Sequence, residues 1–170
     1  MLVPAVAFAD FVLAIHILSA VIGFGIIFAY PVLLASAARV DPTVMPWLLR
    51  TRQRLGRVLV NPGLLFVVLA GIYLASDLHQ WSDFYVQWGI AAAIVIGAIE
   101  GSFMIPRQGR LAELAERDLV ATAVPAGGRR NSASWSEDYN QLFRQLSLGG
   151  TAMALIVVVT VFLMATHAGA

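Results

Sequence analysis

The chain has no cysteine and no lysine, and long tracts of it carry almost no charge. Without cysteine there is no disulfide, no thiolate metal centre and no thiol nucleophile. Without lysine, all eleven basic residues are arginine. Charged residues make up 12% of the sequence against 59% hydrophobic. That balance lies far from an ordinary soluble domain and makes lipid the solvent for most of the chain. Phosphate-binding glycine loops, nucleophile elbows, zinc-protease motifs and nucleic-acid motifs are also missing. No residue is assigned a catalytic role, and 170 residues allow one compact bundle, a single domain over 1–170.

What is present is four apolar runs, at about 8–36, 59–76, 83–105 and 146–166. Each approaches or exceeds the ~20 residues that cross a bilayer core as a helix. The expected fold is all-α, an integral membrane four-helix bundle. The arginines fall in two segments, 37–58 and 106–145, while the 77–82 connection has none. By the positive-inside rule the Arg-rich segments are cytoplasmic and both termini face outward. The first run has no basic leader and is too long for a signal peptide, so it is expected to remain as a helix. A multi-pass protein of a bacterial-type plasma membrane fits this pattern.

Local signals refine the spans. Pro31 predicts a kink in the first helix. Asn61, Pro62 and Gly63 read as the start of the second. Trp81, Phe84, Tyr85 and Trp88 form an outer interfacial belt. Residues 45–60 mix apolar and Arg positions as an amphipathic helix lying on the anionic inner surface. Residues 108–120 extend the third span as a short helix beyond Pro106, and 121–132 read as a flexible linker. Ser134 and Glu137 match a capping box that starts the fourth helix near Trp135. Gly89, Ala93, Gly97 and Gly101 recur every four residues, a small-residue stripe suited to a facing helix, a membrane partner or a second copy. The bilayer itself is the other expected partner; nucleic acid is not, because topology accounts for the arginines.

Against this apolar background Asp10, His16 and Glu100 are nearly the whole ionisable inventory of the spans, and intramembrane ionisable groups are functional candidates. At ~1.5 Å rise per residue, His16, Tyr73, Thr160 and Met164 share a level in the outer half. His16 is open to three readings: a neutral imidazole bonded to the Tyr73 or Thr160 hydroxyl, a ligand to haem or a metal ion with Met164 as a second haem ligand, or a proton relay. His79, His167, Asp77 and Asp83 at the outer edge form a candidate nitrogen and oxygen set for a divalent metal. Glu100 lies on the order of 18 Å from His16 along the membrane normal, too far to share one small site. Its expected partners are Arg107 or Arg57, in an inner-edge ion pair, with ion or proton handling as the alternative.

The run His16-Ile-Leu-Ser-Ala-Val-Ile-Gly-Phe-Gly25, the Arg-rich first connection, Asn61-Pro62-Gly63 leading to Gly71, and Phe162-Leu-Met164 resemble a bacterial integral-membrane family catalogued as domain of unknown function 2269. The resemblance covers nearly the whole chain as an order of elements and implies a four-helix membrane fold without an assigned activity. More distantly the chain is similar to the copper-resistance D type and the protoporphyrinogen oxidase type of four-helix membrane protein. In the latter a first-helix His and a membrane Lys are thought functional, and with no Lys here only His16 carries over. Three functional expectations follow. They are a haem- or metal-binding site at His16, a structural or accessory subunit without cofactor, and a proton-coupled transport subunit using Glu100 and His16.

Overall fold

A computed structural model describes residues 8–123 and 135–167. Among them all regular structure is helical, in four long rods. Helix α1 is Phe8–Val40. Helix α2 runs without a break over Pro42–Asp77: a 3-10 turn Pro42–Val44, Met45–Leu55, a π-helical turn Gly56–Val60, and Asn61–Asp77. Helix α3 joins Phe84–Ala98, a second π-helical turn Ile99–Met104, and Ile105–Ala123. Helix α4 is Glu137–Thr166. All four are long and apolar enough to span a membrane.

The rods are longer than a membrane requires. Thirty-three residues in α1 and 36 in α2 reach ~50 Å at 1.5 Å per residue, against a ~30 Å hydrocarbon core. The excess stands at the Arg-rich end. There Met45–Leu55 packs upright along Ile105–Ala123, as a collinear continuation of the Asn61–Asp77 segment. This corrects the expected surface-lying helix at 45–60. Its apolar stripe of Met45, Leu48 and Leu49 is buried against the molecule itself. Asn61 accordingly sits mid-helix and caps nothing, with Val60 before it already helical.

Sequence chemistry explains the turns. Between α1 and α2 the chain reverses at Asp41, whose Oδ1 accepts from the Thr43 backbone N–H at 2.9 Å and hydroxyl at 2.6 Å, and Pro42 starts the next turn. Ser136 caps α4 by accepting from Tyr139 N–H at 3.3 Å, so the cap is Ser136 and not Ser134, which lies outside the described residues. At the opposite end α2 and α4 end in His79 (φ 57°) and His167 (φ 48°), both left-handed. Among non-glycine residues histidine is one of the more tolerant of that region.

Two interfaces hold the Arg-free half. Helix α1 crosses α2 at Gly23 and Gly63, where a Cβ on Gly63 would come 2.9 Å from the Gly23 Cα; only glycine allows this approach. The Phe84–Ala98 segment packs on α4, with the Trp88 indole N–H donating to Thr160 Oγ1 at 3.0 Å. Tyr85 is buried in the same region with its ring edge-on to His167, so Tyr85 and Trp88, expected in the belt, serve helix packing. The largest core cluster lies toward the Arg-rich half, where Met45, Leu49, Met104, Leu111, Ala115, Tyr139 and Met153 meet.

Candidate functional site

Where the upright Met45–Leu55 segment meets α3, the buried stripe contains polar side chains. Met45, Leu48, Leu49, Arg52 and Gly56 follow one another at helical spacing, and Arg52 is 7% exposed. Across the interface Glu100 is 0% exposed and Gln108, eight residues further along the same rod, 1% exposed. Arg52 Nη1 stands 3.6 Å from Glu100 Oε1. That separation makes an ion pair but exceeds a hydrogen bond. Both Glu100 oxygens, Arg52 Nη1 and both amide atoms of Gln108 are buried without a hydrogen-bond partner.

Local backbone shapes this place. Gly56–Val60 and Ile99–Met104 are both π-helical, and Glu100 lies inside the second. A π turn inserts a residue into the helical register and occurs often at functional sites. Gly56 opens the space, since a Cβ there would lie 2.6 Å from Glu100 Oε1. Arg52 is further placed by Tyr30, whose ring centroid lies 5.6 Å from the guanidinium carbon and whose hydroxyl donates to the Leu48 carbonyl at 2.7 Å. Gln53 Nε2 donates to the Ile105 carbonyl at 2.9 Å and fixes α2 against α3 beside the pair. Three rods thus converge on one charge pair, which sits ~24 Å from the Arg-free end of α3 by helical rise.

The partner of Glu100 is therefore Arg52, not the expected Arg107 or Arg57. Arg107 turns to the Phe103 ring, 4.1 Å from its centroid, and Arg57 is exposed. Read without its stripe, Arg52 is one of four similar arginines between 50 and 57. Its place at the spacing of Leu48, Leu49 and Gly56 is the signal that distinguishes it. Gln108, between Ile105 and Leu111 on the buried face of α3, carries the same kind of signal.

The outer-half set is divided between two interfaces. His16 lies on α1 against α2, its Nδ1 2.9 Å from the Val67 carbonyl and its ring over Gly71. A carbonyl only accepts, so Nδ1 donates and Nε2 holds the lone pair of the neutral ring. Tyr73 is on α2 with its ring edge-on to Phe8. Thr160 and Met164 belong to the other interface, Thr160 bonded to Trp88 and the Met164 methyl seated against Gly89. The expected Tyr73 or Thr160 bond to His16 is replaced by the Val67 carbonyl. His79, His167 and Asp77 are exposed, and among the described residues no three His, Asp or Glu side chains gather closely enough to hold a metal ion. In the small-residue stripe, Gly97 receives Leu64 of α2, Gly89 receives Met164, and Gly101 faces open space.

Comparison with known proteins adds the family. No curated protein and no solved structure matches the chain. The family described as predicted integral membrane protein (DUF2269) matches residues 10–168, and the chain, with its four apolar rods, belongs to that integral-membrane family.

Proposed function

We propose that this integral membrane protein is a proton-coupled transport subunit that works at the Glu100–Arg52 pair. The observation that carries the reading is a fully buried carboxylate, 3.6 Å from a buried guanidinium, with neither of its oxygens hydrogen-bonded. An unmet buried acceptor costs ~1–3 kcal/mol and more when charged, so this arrangement is an expensive one to keep. A carboxyl without fixed partners is suited to exchanging a proton, and ionisable groups at such depth in membrane proteins mark ion and proton pathways. The positive-inside rule makes the Arg-rich end cytoplasmic, so the pair lies toward the inner face. Four spans in one chain leave room for a pathway shared with a second copy or another subunit.

The test is proton flux in liposomes with an internal pH dye, in a medium containing chloride, nitrate and formate. Wild type and Glu116→Gln, an exposed carboxylate on the same rod, are expected to dissipate an imposed pH gradient at similar rates, and Glu100→Gln more than tenfold more slowly. Equal rates for wild type and Glu100→Gln reject the reading.

A second reading has its own observation. The Val67 carbonyl holds the His16 Nδ1–H and leaves Nε2 as the ligating nitrogen, the arrangement that orients metal-binding histidines. It assigns His16 to a haem or a metal ion in the outer half, with Tyr73 on the same pair of helices. An absorption spectrum with metal analysis, beside His16→Ala, tests it: a band or a stoichiometric metal absent from the variant supports the reading, and a colourless, metal-free wild type rejects it.

A further inference from the structure

We infer that the Glu100–Arg52 pair takes up a small monovalent anion together with a proton, the anion replacing the Glu100 carboxylate beside Arg52. This rests on the proton-handling reading above and names the substrate class. In the resting site the two charges cancel. When Glu100 accepts a proton, Arg52 is left as a buried cation without a counterion, and an uncompensated buried charge is strongly unfavourable. One anion restores neutrality: carboxylate–guanidinium pair plus proton plus anion becomes carboxylic acid plus guanidinium–anion pair, with net charge zero on both sides. An unpartnered donor is already in place at Arg52 Nη1.

Size and charge select the anion. Gly56 leaves no more room than the Glu100 carboxylate itself uses, since even a methyl there would meet Oε1. The anion must fit the space a turning carboxylate gives up, which suits formate, nitrate or chloride and excludes sulfate or a dicarboxylate. Arg50, Arg54, Arg57 and Arg110 are exposed around the same end and raise the local concentration of anions. Of the charged and titratable groups packed round the pair, Arg52 acts on Glu100 from α2 and Tyr30 faces Arg52 from α1. On α3, Arg107 turns away to Phe103. From α4 the cluster receives the apolar Leu146 and Met153. The proton that governs the site is therefore the one on Glu100.

The same chemistry has two sources, a free anion or the phosphate of an anionic lipid, and burial of both Arg52 and Glu100 favours the free anion. Thermal stability and binding heat are to be measured on the full chain in phosphatidylcholine nanodiscs from pH 5 to 8. Formate, nitrate and sulfate are the probes at fixed ionic strength, with and without phosphatidylglycerol. Expected is saturable binding of formate and nitrate but not sulfate, unaffected by phosphatidylglycerol. Its affinity falls by up to about tenfold per pH unit through the range where Glu100 loses its proton, the slope of one coupled proton. In Glu100→Gln, which stays neutral and keeps Arg52, formate binds at every pH with one affinity; in Arg52→Gln binding is lost. Because Arg52→Gln can fail to fold, Glu100→Gln decides alone: an unchanged pH slope in that variant overturns the inference. So does the absence of anion binding to wild type, or a response to phosphatidylglycerol in place of formate. If proton flux depends on Glu100 while no anion binds, this inference falls and the proton-handling reading stands.

Discussion

Arg52 shows how much a single position depends on its neighbours. Replaced by methionine, it would leave Glu100 buried opposite an apolar chain, and loss of one partner of a buried pair costs about 3–5 kcal/mol. Replacing both, Arg52→Met with Glu100→Leu, removes the uncompensated charge. The double variant is expected to be as stable as wild type or more so by roughly 1–4 kcal/mol, and to carry no proton flux. Denaturant unfolding in mixed micelles measures both variants. A double variant as unstable as Arg52→Met would show that the pair is there to hold the fold. Glu100 was legible in the sequence, because an acid among twenty apolar residues is conspicuous. Arg52 was not, since it lies among other arginines and its burial depends on a helix that carries on through a π turn.

At the scale of elements, the α3–α4 connection is anchored by one carboxylate. Asp118 accepts from the Ser136 backbone N–H at 2.8 Å and from Arg117 at 3.3 Å. Burial by itself would raise its pKa, but Ser136 and Arg117 outweigh that and hold the carboxyl below the usual carboxylate range. A depressed folded-state value means that this stabilisation is present above the unfolded value of about 3.9 and is lost as pH falls through the lower folded value. The Ser136 amide should therefore be protected, relative to its intrinsic exchange rate, near neutrality and lose that protection only in strong acid. In Asp118→Asn it should already be unprotected at neutral pH; equal protection in the two proteins would contradict the anchoring role. The Asp118 anchor was hidden from the sequence, because the two partners are 18 residues apart in the chain. The apolar runs, by contrast, gave the spans, though not their extension. Residues 37–58 looked like a loop because arginines interrupt their hydropathy, yet the stripe Met45, Leu48, Leu49 and Arg52 finds a partner stripe on Ile105–Ala123. Helices at 45–55 and 105–123 need each other to bury these faces, and neither reveals its partner alone.

For the whole molecule the account joins an asymmetric rod to an orientation. Among the described residues one end carries the arginines, the long helical extensions and the buried pair; the other carries His79, His167, Trp81 and Phe84. The positive-inside rule predicts that the first end is cytoplasmic. The natural absence of cysteine gives a clean background for labelling. A cysteine at exposed Ser82 should react with an impermeant maleimide from outside intact cells, and one at exposed Thr43 only after the membrane is opened. The reverse pattern would invert the orientation and with it the side from which Glu100 is reached. Helical rise alone predicts one level for His16, Tyr73, Thr160 and Met164. Level does not fix which helices are adjacent, which is why they fall on two separate interfaces.

The central claim is that Glu100 exchanges a proton, and infrared spectroscopy of the lipid-reconstituted protein across a pH titration tests it most directly. The account predicts a carbonyl band of a protonated, buried carboxylic acid that appears and disappears reversibly with pH and is missing from Glu100→Gln. A spectrum whose carboxyl bands titrate identically in wild type and Glu100→Gln would contradict it, and would return Glu100 and Arg52 to the status of a static ion pair.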